Sequence, residues 1–140
     1  MSKVCRAAVL AAAVLGAAGC GSDGPPRFTV SGRVTYDGQP VPGGRILFAP
    51  DTDRGNAGPG SVAEIVDGRY RTRSDKGFVG GPCKVTIYGT DGTVATEEHD
   101  NTLFDSYTQE IDLPREDCEF DFHVPVLPRD EGVAGSSSRP

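Results

Sequence analysis

Four cysteines and two histidines are this chain's thiol and imidazole groups, and their spacing decides what each can do. Cys20 ends the run Leu15-Gly-Ala-Ala-Gly-Cys20, behind Lys3, Arg6 and an apolar stretch over residues 7–18. A basic start, a short apolar region, small residues and then a cysteine mark a boundary where a leader is cut and a thiol is acylated. Small residues are needed because Ala17, Ala18 and Gly19 let an extended chain enter a peptidase cleft. The thiol is needed because its sulfur carries the diacylglycerol. The apolar stretch has 12 residues, too few to span a hydrocarbon core, which takes about 20. Residues 1–19 are therefore expected to be a cleaved lipoprotein signal, with Cys20 as the lipidated first residue. An ordinary secretory signal and a retained anchor are the alternatives.

Cys5 leaves with the leader, so Cys83 and Cys118 remain as an even pair in an exported chain. Outside the cytoplasm such a pair is usually oxidised, and a Cys83–Cys118 disulfide is expected, with two buried thiols as the alternative. His99 lies in the acidic run Glu97-Glu98-His99-Asp100, and His123 lies far from it in sequence. Metal hydrolysis needs clustered imidazoles and carboxylates, and acyl transfer needs a nucleophile beside a base. Ser61, Ser74 and Ser106 stand in no recognisable nucleophile elbow. No catalytic residue, transition-metal site or cofactor is expected. Calcium has two weak candidates. Asp51, Asp53 and Asn56 place oxygens at intervals as calcium loops do, but Gly and Glu are missing from the sixth and twelfth positions. Glu97, Glu98 and Asp100 form the second candidate.

Charge is unevenly distributed. The chain has 14 Lys and Arg against 20 Asp and Glu, a net −6. Loss of Lys3 and Arg6 with the leader would take −6 to −8. Such a domain would be repelled by nucleic acid and by anionic lipid, so no nucleic-acid partner is expected. From Glu97 to Asp121 there are ten acidic residues and one basic residue. From Arg69 to Lys84 there are five basic residues and one acidic residue. Arg69, Arg71 and Arg73 share one face of a strand and form a candidate docking patch for a polyanionic envelope polymer. The plainer alternative is two solvated faces that partly neutralise each other.

These groups must be held by strands. Gly numbers 19 and Pro 11, with no collagen-like period, which suits many tight turns between short strands. Residues 28–36 alternate, with Phe28, Val30, Gly32, Val34 and Tyr36 on one face. Further strands are predicted at 45–49, 62–66, 69–73, 83–88, 110–113 and 118–124. In the last, Cys118, Phe120, Phe122 and Val124 face the core, opposite Glu119, Asp121 and His123. Asp67-Gly68 is a hairpin turn, and DGQPVPGG at 37–44 is a turn with a proline corner. Residues 89–108 are predicted as loop with a short helical turn at most. Residues 20–27 are a tether, and residues 129–140 lack an apolar pattern and are expected to be disordered. About seven strands between turns predict a two-sheet β-sandwich over residues 28–128.

The string VSGRVTYDGQPVPGGRILFAPD, then DGRYRTR and GGPCKVTIYG, resembles the carboxypeptidase regulatory-like, or transthyretin-related, domain of small bacterial lipoproteins. Gly32, Val34, Gly38, Pro40, Val41, Pro42, Gly43, Gly44, Asp67, Gly68, Tyr70, Gly81, Val85 and Ile87 carry it. It covers about residues 28–125 and departs at Pro82-Cys83. The resemblance implies a prealbumin-like sandwich and a noncatalytic accessory module. The expected protein is lipid-anchored in the cell membrane or outer membrane, facing the periplasm or exterior. It would serve a binding or structural role toward an envelope protein or polysaccharide. A calcium-dependent carbohydrate- or protein-binding subunit is the alternative, and a small hydrolase is a more distant one.

Overall fold

The computed structural model describes residues 24–126. Cys20, the leader and the 129–140 tail lie outside the described residues. Among the described residues nine strands run in order: β1 (Val30–Tyr36), β2 (Gln39–Pro40), β3 (Gly43–Pro50), β4 (Ser61–Val66), β5 (Arg69–Arg71), β6 (Gly81–Thr90), β7 (Thr102–Leu113), β8 (Cys118–Glu119) and β9 (Phe122–Val124). They form one curled all-β sheet, ordered β2-β1-β5-β4-β3-β6-β7, with β8 and β9 on β1. All neighbours are antiparallel except β8 and β9, which run parallel to β1.

β1 changes partners along its length. Ser31–Arg33 pairs with β5, whereas Thr35 and Tyr36 pair with β2. Its other edge takes β8 at Val30 and Ser31 and β9 at Val34–Tyr36. This switch lets the sheet curl over a single core. Phe48 of β3 sits 6.0 Å from Tyr70 of β5, 5.9 Å from Phe78 and 6.3 Å from Phe122 of β9, centroid to centroid. Tyr36 of β1 meets Phe104 of β7 at 4.9 Å, so strands far apart in the sheet order face each other across the core. Tilted aromatic pairs at such distances add to simple area burial.

Alternation explains the strands that were legible. β4 reads buried-exposed throughout, and Cys83, Val85 and Ile87 of β6 are inward. Asp37-Gly38 and Asp67-Gly68 both take positive φ at both residues (50° and 74°; 48° and 74°), the geometry of two-residue hairpin turns.

Three expectations need correction. Residues 102–108 are strand, not loop. Tyr107 pairs with Ile87 but Phe104 pairs with Gly89, so two residues, Asp105 and Ser106, oppose Tyr88 alone. This bulge breaks the period of two and hides the strand. The segment 118–124 is two short strands separated at Phe120–Asp121. Gly32 of β1 packs there against the Phe120 carbonyl, where a Cβ would collide. Finally, Phe28 and Phe120 are half-buried, while Val41, Phe78, Val79 and Leu113 join the buried core.

Candidate functional site

Arg33 lies on the outward side of β1, directly opposite Arg69 of β5. Two residues further along β5, Arg71 stands opposite Ser31. Tyr70, between the two β5 arginines, turns inward, so Arg69 and Arg71 share the solvent face. With Glu64 of β4 and Glu119 of β8 they line an open groove of about 440 Å³. Val66 forms part of its wall and is largely exposed. Among the described residues, no carboxylate lies within 4.0 Å of the Arg33, Arg69 or Arg71 guanidiniums. Like charges directly opposite on paired strands destabilise the pairing, so this arrangement costs the sheet a little.

Arg73 does not belong to the groove. β5 ends at Arg71, and Arg73 pairs with Asp75 through Nε–Oδ1 and Nη2–Oδ2 contacts of 3.0 and 2.9 Å. That fork holds the Asp75 carboxyl below its ordinary range. Arg33 was missed because the antiparallel register, not sequence proximity, brings it to Arg69. Its signal was the outward position in a legible strand.

Cys83 and Cys118 are free thiols, so the expected disulfide is not formed. Both face inward, but on different parts of the curled sheet. Cys83 sits between Pro50 of β3 and Ile111 of β7, whereas Cys118 lies beside Val30 of β1. An inward direction at two strand starts does not by itself bring two sulfurs together. Burial pushes the Cys83 thiol up to about 12, and the Asp112 carboxylate adds to that. Burial raises Cys118 as well. Neither is an activated nucleophile.

The first calcium candidate is filled from within the chain. Asp51 and Asn56 are each 3% exposed. Asp51 Oδ1 accepts from the Asp53 amide, and Lys84 Nζ lies 3.3 Å from Asp53 Oδ2 and 3.8 Å from Asp51 Oδ1. The Asn56 amide donates to the Gly80 and Pro82 carbonyls at 2.8 and 2.7 Å. Lys84 thus supplies the positive charge, and Asn56 offers the loop a donor. In the second candidate, Asp100 accepts from the Thr102 amide, and its neighbours Glu97 and Glu98 are exposed. Among the described residues, no three His, Cys, Asp or Glu side chains converge as a metal site would require.

His99 and His123 are not brought together. His123 Nδ1 lies 2.7 Å from Thr35 Oγ1 on the β1–β9 pair. His99 Nε2 contacts both Asp91 Oδ2 at 2.9 Å and Thr93 Oγ1 at 3.0 Å. A Thr-His-Asp relay needs the acid on one ring nitrogen and the hydroxyl on the other. Here both compete for one nitrogen, and Thr93 Oγ1 donates to Asp91 Oδ1 at 2.6 Å. The cluster stitches an exposed loop.

Part of the acidic run is structural. Asp117 Oδ1 accepts from the Thr29 amide and Asp121 Oδ1 from the Arg33 amide, at 2.7 and 2.8 Å. Asp121 completes the β1 edge where its parallel ladder is interrupted, and Asp117 holds the residue just before that ladder begins. Fold and site together define a small all-β domain that carries an arginine-lined groove on its outer sheet face. No family model, curated protein or solved structure matches the chain.

Proposed function

We propose that this chain is a lipid-anchored cell-envelope module with a noncatalytic binding or structural role, of the carboxypeptidase regulatory-like kind its motifs resemble. The observation that carries the reading is the Leu15–Cys20 boundary, followed within a few residues by a compact β-domain. The seven residues after Cys20 (21–27) reach at most about 23 Å at ~3.3 Å each, which would keep the domain against the membrane. Acylation with several chains gives stable association, because each buried CH₂ contributes about 0.8 kcal/mol and one chain alone is marginal. The noncatalytic role is supported by two thiols whose burial disfavours the thiolate and by the one-sided contacts of His99.

The carbohydrate-binding alternative gains support from the groove, which mixes guanidiniums, carboxylates and a hydroxyl on an accessible face. The test of anchoring is detergent-phase partitioning. The native chain is expected in the detergent phase, and Cys20→Ser in the aqueous phase or unprocessed. Equal partitioning of the two would contradict the proposal.

A further inference from the structure

The groove between β1, β4, β5 and β8 holds more charge than its own fold uses. Arg33 and Arg69 face each other, Arg71 follows, and among the described residues none of the three has a carboxylate within 4.0 Å. An oxyanion seated between Arg33 and Arg69 would turn their repulsion into two charge-assisted contacts. Planar guanidiniums suit a planar carboxylate in particular, through paired N–H···O bonds.

The rest of the lining decides what carries that carboxylate. Glu64 and Glu119 stand at the groove with Ser31. Against a phosphate-dense bilayer these carboxylates would be repelled and stripped of water. Against a sugar they accept hydrogen bonds from hydroxyls, and Val66 offers an apolar wall to a ring's C–H face. The groove is open, so a polymer can pass through it rather than end in it. We propose that Arg33, Arg69 and Arg71, with Glu64 and Glu119, bind an acidic glycan whose sugars carry carboxylates, of the uronate type. This names a ligand class for the noncatalytic binding role above and rests on it.

The test is titration calorimetry on the full chain, extracted from membranes in a nonionic detergent. Oligogalacturonate is the probe, and neutral oligogalactose and polyglycerol phosphate are the comparisons. Saturable binding of oligogalacturonate is expected, weakening as salt is added. Arg33→Gln and Arg69→Gln should each lose roughly tenfold in affinity, as removal of a hydrogen bond to a charged group does. Arg69→Lys should also weaken binding, because a point charge lacks the fork. Arg73→Gln, in its separate pair with Asp75, should bind as the parent does. Melting temperatures no lower than the parent's would confirm that these exposed substitutions leave the fold intact. The inference is overturned if oligogalacturonate does not bind saturably or if the groove variants bind like the parent. Equal or tighter binding of oligogalactose or polyglycerol phosphate overturns it too. An anchored chain that ignores the uronate sinks this inference alone. A chain that binds it without an anchor sinks the envelope reading alone.

Discussion

Tyr70 lies in the core, yet its hydroxyl donates to the Phe120 carbonyl at 2.6 Å. Burial raises its phenol above the ordinary range, and the nearby Asp121 and Glu119 carboxylates add to this, so it stays a donor at any working pH. The bond ties β5 to the break between β8 and β9. Tyr70→Phe should lower stability by about 1 kcal/mol, read from chemical denaturation. Phe122 touches Phe48, Tyr70 and Phe120 at once, with centroids 6.3, 5.8 and 4.8 Å away. Phe122→Ala should cost about 3–5 kcal/mol, more than Phe120→Ala, whose ring is half-exposed. If Phe120→Ala proved the costlier, the burial order would be wrong. Cys83, with its thiol pushed up to about 12, should resist iodoacetamide in the folded protein at neutral pH, and Cys118 should react first. Unfolding without reductant should expose both. Failure of either to react after unfolding would mean that they are bridged.

At the scale of elements, the loop joining β6 to β7 has a testable charge dependence. Thr93 donates to Asp91 from its hydroxyl and its amide, and His99 adds a third contact, so the Asp91 carboxyl is held below its ordinary range. The stability these bonds lend is present above the unpaired carboxylate's range. It disappears as pH falls through the lowered midpoint. An NMR titration should find Asp91 ionising below a peptide aspartate, and Thr93→Ala should move it back up. No movement would contradict the assignment. β7 itself shows where sequence reading stops. Its alternation is interrupted by the Asp105-Ser106 bulge, which turns both Phe104 and Tyr107 inward. The Asp-Gly turns and the alternation of β1 and β6 were legible because they depend on neighbours in sequence. The partner switch of β1, the parallel pairing of β8 and β9, and the meeting of Arg33 with Arg69 depend on register between distant segments. Those were not legible.

Across the whole molecule, charge is sorted by face rather than by segment. The basic stretch and the acidic run looked like two blocks in the sequence. In the fold, Arg73 is neutralised locally by Asp75, and Asp117 and Asp121 serve the backbone at Thr29 and at Arg33 of β1. Arg33, Arg69 and Arg71 remain as a basic groove on a chain of net charge −6. Such a local reversal of sign favours anionic partners at close range while the net charge repels them at long range. Their association should therefore weaken sharply as salt screens the groove. A binding face of this kind serves an envelope only if the domain is held there. The measurement that tests the central claim most directly is mass spectrometry of the mature N-terminus. The expected result is a chain that begins at Cys20 and carries thioether-linked diacylglycerol. An N-terminus at another residue, or an unmodified Cys20, would contradict the account.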